Sequence, residues 1–226
     1  MGGFFDFSRS VRAEPVEALG AIWQALCEGH GRCTNDAKLA LIFAPSSPTI
    51  SIMQGFTLQL IDESNHPQLP ALRELLLEYQ RWTGVDLCFQ DFDREMQELP
   101  GAYAPPDGRL YLAWVGDELA GCIALRRHDA QSGEMKRLYL RPAFQGQGFG
   151  RLLAEHIMLD ARQIGYQRLL LDTLPIMQSA QAMYAKLGFQ ETSAYVHNPV
   201  EGVKYMQLPL GASLKPATLR SAGSPT

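Results

Sequence analysis

The chain has 226 residues, of which 46% are hydrophobic, and its formal net charge is −4. This length suits one domain with a sizeable core better than two domains. The mild negative charge and the lack of a basic cluster argue against a nucleic-acid-binding surface, and no apolar run is long enough to span a membrane.

The cysteines indicate a reducing compartment. They lack the spacing of a metal or redox motif; they are Cys27, Cys33, Cys88 and Cys122. We expect reduced thiols in a cytoplasmic protein, with Cys88 and Cys122 in or near the core.

Both ends of the chain differ from its middle. Residues 10–19 resemble the peptide that results when a bacterial intergenic repeat is translated. We expect residues 1–52 not to act as a secretory signal, because Asp6 and Arg9 come early and no continuous apolar region follows. We expect residues 1–52 to be a disordered or non-native extension, with the native start at Met53; a genuine but flexible extension is the alternative. Residues 211–226 are rich in Ser, Pro, Gly and Ala and are predicted to form a flexible tail, which leaves one domain at residues 53–210.

The sequence pattern of the first half of this domain predicts five secondary-structure elements. Apolar residues alternate in the strands and recur every three to four residues in the helices, and Gly116-Asp117 marks a hairpin turn. The predicted elements are a strand at Phe56–Ile61, helices at Leu69–Trp82 and Asp91–Leu99, and strands at Arg109–Val115 and Leu119–Arg127.

The second half contains a strand–helix–strand unit. A strand through Leu138 and Leu140 leads into a glycine-rich turn at residues 145–150, and Gly165 ends the amphipathic helix that follows. The next short apolar run is typical of a strand in a parallel sheet. We predict a strand at Arg168–Thr173, a helix at Gln178–Leu187, and strands near Glu191–Tyr195 and Val203–Leu208.

The glycine-rich turn suits a phosphate-bearing cofactor. Gly146, Gly148 and Gly150 allow the backbone to turn sharply and to lie close to a ligand, and the first amides of the next helix can bind phosphate. The turn lacks the Lys and Ser or Thr of a Walker loop, and the third glycine of a dinucleotide fingerprint would fall at Arg151. The pattern that fits is Gln-x-x-Gly-x-Gly, which starts at Gln145.

This pattern resembles the pyrophosphate loop of the GCN5-related N-acetyltransferases (GNAT family), which bind acetyl-coenzyme A. The phrase Tyr184-Ala-Lys-Leu-Gly-Phe189 also resembles the family, at the family's distance from the loop. The resemblance covers roughly residues 56–210. It implies the acyl-CoA N-acyltransferase (GNAT) fold of class α/β (α+β), with a mixed central sheet of about six to seven strands flanked by about four helices. It also implies acetyl-CoA as the co-substrate and no metal.

The same resemblance implies which residues bind the cofactor. In the family, one strand pairs through its backbone with the pantetheine arm, and the glycine loop binds the pyrophosphate. The Asn that often contacts the cofactor in the family is replaced here by Met177. The implied cofactor-binding residues are Leu138, Tyr139, Leu140, Gln145, Gly146, Gln147, Gly148, Phe149, Gly150 and Arg151.

Two residues are the catalytic candidates. Tyr184 matches the family's tyrosine, which donates a proton to the leaving thiolate or stabilises it. Glu134 lies 11 residues before Gln145, the offset of the catalytic glutamate in the histone-type members, and is the candidate base. The alternatives are a solvated Glu134 paired with Lys136 or Arg137, and a water chain that takes the proton.

Other polar side chains carry weaker signals. His197 and Asn198, in the turn before the last strand, are within possible reach of the acceptor. His156 and Asp160 are four residues apart on the helix after the loop. They lack a third metal ligand and are predicted to form a surface pair.

The distribution of charge favours a cationic acceptor. Residues 56–133 contain 13 acidic and 6 basic residues, whereas residues 134–210 contain 6 acidic and 8 basic ones. The second half therefore suits an anionic cofactor and the first half an amine, although a solvated helix face explains the same count. The acidic residues near the two early helices are Glu78, Asp86, Asp91, Asp93 and Glu95.

These observations predict an N-acetyltransferase that transfers the acetyl group of acetyl-CoA to a primary amine of a small molecule or peptide by direct attack. The alternative is a non-catalytic acyl-CoA-binding sensor or partner module on the same fold. Neither nucleic acid nor a membrane is an expected partner. The sequence does not decide between a monomer and a homodimer.

Overall fold

The computed structural model describes residues 49–53, 55–85 and 91–211. Outside the described residues lie the predictions for residues 1–48, for Cys27, Cys33 and Cys88, and for the tail beyond Gly211.

The described residues form eight strands and four α-helices, close to the predicted bounds. The strands are β1 (Thr49–Met53), β2 (Phe56–Leu60), β3 (Arg109–Val115), β4 (Glu118–Arg127), β5 (Ser132–Leu140), β6 (Arg168–Thr173), β7 (Gln190–Thr192) and β8 (Lys204–Pro209). The helices are α1 (Leu69–Thr83), α2 (Phe92–Glu98), α3 (Phe149–Ile164) and α4 (Gln178–Lys186), with short 3-10 turns at Gly101–Tyr103 and Pro142–Phe144.

The strands form one mixed sheet in the order β1-β2-β3-β4-β5-β6-β8-β7. β5 and β6 are parallel and are joined through α3, and every other neighbouring pair in the described sheet is antiparallel. The predicted fold class is therefore confirmed. β1 begins at Thr49, before the predicted domain start at Met53, and adds one edge strand beside β2.

Each face of the sheet has its own hydrophobic core. On one face, the buried stripe of α3, which includes Leu153 and Ile157, packs on the strands. On the other face, the leucines of α1 pack with Phe92 of α2. Successive strand residues point to opposite faces, so the neighbours Tyr139 and Leu140 belong to different cores. The central strands are thus held from both sides.

Glycines end the hairpin and the long helix as predicted. Gly116 in the β3–β4 turn has φ +59, and Gly165 after α3 has φ +103, conformations that strongly favour glycine. The Gly165 amide donates to the last free carbonyls of α3. In the part of the chain that the structure describes, no helix is both long and apolar enough to cross a membrane.

Candidate active site

Strand β5 contains a bulge beside its parallel neighbour. Its register with β4 shifts between the pairs Cys122↔Tyr139 and Ala124↔Lys136, so β5 has one extra residue there. Arg137, within this stretch, has φ +55, and a non-glycine residue in the left-handed region is typical of a bulge that redirects a strand. The buried Cys122 thiol donates to the Arg137 carbonyl at 3.2 Å, which stabilises the bulge and confirms the predicted core position of this cysteine.

Beyond the bulge, β5 and β6 separate and open a cleft. Their parallel pairing extends over three positions, Ser132–Glu134 with Arg168–Leu170. On the β6 side, the backbone of residues 136–140 therefore has no strand partner among the described residues. Such an edge can pair with an extended ligand. The side chains that line the cleft include Tyr79, Leu138, Thr173, Leu174, Met177 and Tyr184.

The three strand residues predicted to bind the cofactor have different surroundings. Leu138 lines the cleft, whereas the side chains of Tyr139 and Leu140 are buried in the two cores. The Leu140 carbonyl accepts a hydrogen bond of 2.8 Å from Gln145 Nε2, which ties the end of the strand to the glycine loop. Tyr139 and Leu140 can therefore contact a ligand in the cleft only through their backbone.

The glycine loop presents a row of backbone N–H groups. Gly146 and Gly148 have φ of +74 and +90, and α3 begins directly after Gly148. None of the amides of residues 146–150 donates to a described residue. Unpaired amides and the positive end of the helix dipole together favour an anion at this position.

Side chains of the loop stabilise its shape. Gln147 Nε2 donates to the Ala143 carbonyl at 2.8 Å, and the Phe149 ring stacks on Phe56 with centroids 4.7 Å apart. Arg151 forms an exposed ion pair one turn further along α3. The capacity to bind an anion therefore resides mainly in the backbone, with the Arg151 guanidinium close by.

Tyr184 lies in α4 and lines the cleft. Its side chain is buried, and its ring centroid is 5.6 Å from that of Phe189. Burial raises the pKa of Tyr184 above its ordinary value, so the phenol is protonated at neutral pH. Its hydroxyl has no hydrogen-bond acceptor among the described residues, which leaves the proton available to an atom in the cleft.

Glu134 is completely buried where β5 and β6 still pair. Its Oε2 accepts a hydrogen bond of 2.7 Å from Arg126 Nε, and its Oε1 accepts one of 3.2 Å from the Tyr195 hydroxyl. Lys136 Nζ lies 3.5 Å from Oε1. The alternative of a solvated Glu134 is therefore wrong, and so is its pairing with Arg137, which turns toward α2 instead; the pairing with Lys136 is confirmed.

A second carboxylate extends this network to the cleft. Asp172 Oδ1 accepts from Lys136 Nζ at 2.9 Å, and Oδ2 accepts from Asn198 Nδ2 at 2.9 Å. Burial raises the pKa of Asp172, but Lys136 and Asn198 together bring it below its ordinary value. Sequence reasoning missed Lys136 and Asp172 as site residues. Two signals were available. Asp172 is an acid at the end of an apolar strand, and Lys136 follows Glu134 by two residues, which places Lys136 and Glu134 on the same face of their strand.

Two of the acidic residues assigned to the acceptor side are paired with arginines. Glu78 binds Arg141 at 2.6 Å, and Glu95 binds Arg137 through both carboxylate oxygens at 2.7 and 2.8 Å. These pairs attach α1 and α2 to β5 and to the residue that follows it. The expectation that Glu78 and Glu95 attract a cationic amine is therefore corrected, because arginines neutralise their charges; Asp86 lies outside the described residues.

The predicted surface pair of His156 and Asp160 is buried, so that prediction is wrong. The two residues are 3% and 7% exposed. Asp160 accepts a hydrogen bond of 3.0 Å from the Tyr111 hydroxyl, and Arg109 Nε lies 3.9 Å from its other oxygen. Both residues follow Leu153 at helical spacing and therefore belong to the buried stripe of α3. Within the described ranges, no group of His, Cys, Asp and Glu is arranged to hold a metal ion.

Together, the bulged strand, the cleft and the amide row define an acyl-CoA N-acyltransferase fold. The model of the Acetyltransferase (GNAT) family matches residues 69–189, more than half of the chain. The chain belongs to this family. An uncharacterized N-acetyltransferase of Schizosaccharomyces pombe is 37% identical over 142 residues, which cover 62% of this chain and 87% of that protein.

Solved structures share the fold. An acetyltransferase from Streptococcus agalactiae has a TM-score of 0.57 at 22% identity and covers 70% of this chain and 99% of its own. A GNAT family acetyltransferase from Elizabethkingia anophelis with acetyl-CoA bound has a TM-score of 0.51 at 22% identity, with the same coverage. At these identities the similarity shows the architecture alone.

Proposed function

We propose that this protein transfers the acetyl group of acetyl-CoA to a primary amine of a small molecule or peptide. The observation that carries this proposal is the row of unpaired amides at residues 146–150 beside the cleft between β5 and β6. The pyrophosphate binds the amides, and the pantetheine arm pairs with the free edge of residues 136–140. This arrangement directs the thioester toward Tyr184. The Elizabethkingia anophelis acetyltransferase of the same fold has acetyl-CoA bound, which supports acetyl-CoA as the ligand of the fold.

The reaction is a direct attack by the amine. The nitrogen bonds to the thioester carbon, the carbon–sulfur bond breaks, and the amine loses a proton. Tyr184, protonated and without an acceptor among the described residues, donates to the departing sulfur. Because burial raises its pKa, the Tyr184 hydroxyl keeps its proton at neutral pH and can donate a hydrogen bond to the sulfur.

Glu134 is the proposed base. Asp172, the carboxylate that lines the cleft, has a lowered pKa and is therefore a poor proton acceptor. Lys136 lies between Glu134 and the cleft. The Lys136 ammonium has no acceptor for a proton, so we propose that the amine proton reaches Glu134 through a water molecule rather than by direct contact; a water chain that takes the proton without Glu134 is the alternative.

A non-catalytic acyl-CoA-binding module is the second candidate. Two observations favour it: Met177 stands where the family often has Asn, and both oxygens of Glu134 already accept hydrogen bonds. A thiol-release assay with acetyl-CoA and a broad panel of amines separates the two functions. Turnover on any amine excludes the non-catalytic module.

The cofactor site is tested by calorimetry with acetyl-CoA. Gly148→Glu places a carboxylate in the amide row, so we expect binding to be lost. Gly148→Ala is the matched control because it imposes the same left-handed backbone strain, about 1–2 kcal/mol, without the charge. An added Cβ at Gly148 meets no atom within 4 Å, so it causes no clash within the protein. If the free loop relaxes to relieve the strain, binding must restore the loop, so we expect the alanine variant to lose at most about 10-fold in affinity. If acetyl-CoA does not bind the unmodified chain, the proposed function is wrong.

A further inference from the structure

A second pocket lies beside the cofactor cleft, between α2, the 3-10 turn that follows it, and β4. Its volume is about 250 Å³. A single water needs about 10–15 Å³ of a cavity, so the pocket has room for a small molecule. Its lining includes Asp91, Arg94, Glu95, Glu98, Tyr103 and Arg126.

Two chains of ion pairs connect this pocket to the cofactor cleft. Arg126 lines the pocket and binds Glu134, which lies 3.5 Å from Lys136 in the cleft lining. Glu95 lines the pocket and binds Arg137, which also lines the cleft. The pocket and the cleft are therefore neighbours, and the proposed base lies between them.

The pocket contains hydrogen-bond donors that have no acceptor. Arg126 donates to Glu134 through Nε, while its two terminal nitrogens donate to no residue in the described part of the chain. The Tyr103 hydroxyl is buried, with the residue 2% exposed; Glu95 lies near it, but no acceptor in the described part of the chain meets it with hydrogen-bond geometry. Burial raises the pKa of Tyr103, so this hydroxyl keeps its proton. A buried donor without an acceptor is costly unless a ligand satisfies it.

The carboxylates of the pocket are mostly compensated. Both oxygens of Glu95 accept from Arg137, and Glu98 forms an exposed ion pair with Arg94. Asp91 lies on the exposed surface at the start of α2. Asp91 and Glu98 thus keep acceptor oxygens at exposed positions, whereas the buried side of the pocket offers donors from Arg126 and Tyr103, which suit an anionic group.

We propose that the acetyl acceptor is an amine that carries a carboxylate, such as an amino acid, and that Arg126 and Tyr103 bind this carboxylate. The two open terminal nitrogens of Arg126 form the planar fork that matches a carboxylate with two parallel hydrogen bonds. With the carboxylate fixed there, the rest of the substrate extends toward the cleft lining at Lys136, and the buried Glu134 stays behind Lys136 without touching the amine. This inference rests on the proposed function and names the substrate class of the same site.

Matched substrate pairs test the proposal. Thiol release from acetyl-CoA is measured with a series of amino acids and with their carboxamides, which differ only in the carboxylate. For the preferred side chain we expect kcat/KM to be at least about 10-fold higher for the acid, the worth of a charge-assisted hydrogen-bond pair. The amino group of an amino-acid carboxamide is less basic than that of the parent acid, so it loses its proton more readily. The reactivity of the amine therefore cannot produce a preference for the acid.

The outcomes separate the two proposals. If amides are used as well as acids or better, the carboxylate inference is overturned and the acetyltransferase function stands. If no amino acid or carboxamide is acetylated but another amine is, the carboxylate inference is again overturned and the acetyltransferase function again stands. If no amine of any kind is acetylated, both proposals fail together.

Variants then assign the carboxylate site, with the acid-to-amide ratio of kcat/KM as the readout. Arg126→Gln should bring this ratio to about 1. Loss of Arg126 also removes a hydrogen bond to Glu134, but that change affects the rates with the acid and the carboxamide alike and therefore cancels in the ratio. Tyr103→Phe, which removes one hydroxyl, should lower it about 3–10-fold. Arg127→Gln removes the same charge from the next residue of β4, where the arginine pairs with Asp107 at the surface, and should leave the ratio unchanged. If the ratio survives in both Arg126→Gln and Tyr103→Phe, the pocket does not bind the carboxylate.

Discussion

The buried pair of His156 and Asp160 on α3 should give stability two opposing dependences on pH. Burial, assisted by Arg109, lowers the pKa of His156 from 6.5 to about 4. Burial raises the pKa of Asp160 from 3.8 to about 6, although Tyr111 and Arg109 oppose the shift. Between pH 4 and 6 the folded state therefore keeps a proton on Asp160 and none on His156, the reverse of the unfolded state.

The two groups act on the free energy of unfolding with opposite signs. Between pH 4 and 6.5 the unfolded state binds a proton at His156 that the folded state does not. The contribution of His156 to the free energy of unfolding is therefore fully present above pH 6.5 and is lost as pH falls through this window. Between pH 3.8 and 6 the folded state binds the extra proton at Asp160, so this contribution is present at low pH and is lost as pH rises. Each difference in pKa corresponds to about 3 kcal/mol, and in the unmodified protein the two nearly cancel.

Single substitutions separate the two contributions. Urea unfolding is measured from pH 4 to 6.5, and the profile of the unmodified protein is subtracted to remove all other titrating groups. For His156→Gln the difference in the free energy of unfolding should fall by about 3 kcal/mol as pH rises, and for Asp160→Asn it should rise by a similar amount. Gln163→Ala, at an exposed position of the same helix, should give a flat difference. Flat difference profiles for both pair variants would refute the burial of these groups as ionisable side chains.

Three further predictions concern the site and the ends of the chain. Tyr184→Phe should lower turnover about 10²-fold and leave the acetyl-CoA dissociation constant nearly unchanged in calorimetry; wild-type turnover would assign the hydroxyl to packing. Glu134→Gln should lower turnover by a similar factor, most strongly at acidic to neutral pH, and should lower the free energy of unfolding by about 3 kcal/mol because Arg126 and Lys136 lose a buried partner. Wild-type rates in the folded variant would contradict its role as the base. A chain of residues 53–211 loses only the edge strand β1 from the described sheet and should keep its affinity for acetyl-CoA. Limited proteolysis should cut the full chain first within roughly the first 50 and the last 15 residues, and loss of binding on truncation would contradict this prediction.

Elements with a strong local signal could be predicted from the sequence. The strands Arg109–Val115 and Arg168–Thr173 have their predicted bounds, because each is a short apolar run between turn signals. The bulge in β5 could not be predicted. Arg137 has φ +55, and nothing local indicates it, since the residues that usually adopt this conformation are Gly, Asn and Asp.

The ion pairs of the site, like the bulge, could not be predicted from the sequence, because they join residues that are far apart along the chain. Arg137 and Glu95 are 42 residues apart, and Lys136 and Asp172 are 36 residues apart. Periodicity identifies the strands but does not fix which charged side chains meet across them. The burial of Asp160 is different, because its helical spacing from Leu153 was visible in the sequence and was outweighed there by its polarity.

The arginine at the bulge is explained by α2 rather than by the bulge itself. A glycine at position 137 would adopt φ +55 without strain, whereas an arginine there costs about 1–2 kcal/mol and buries a guanidinium. The bidentate pair with Glu95 and the Phe92 ring, 5.2 Å from the guanidinium carbon, compensate that buried charge. Both partners belong to α2, and Glu95 also lines the second pocket. The residue that opens the proposed cofactor cleft is therefore held by the same helix that forms the wall of the proposed acceptor pocket, so the two proposed sites share one structural support.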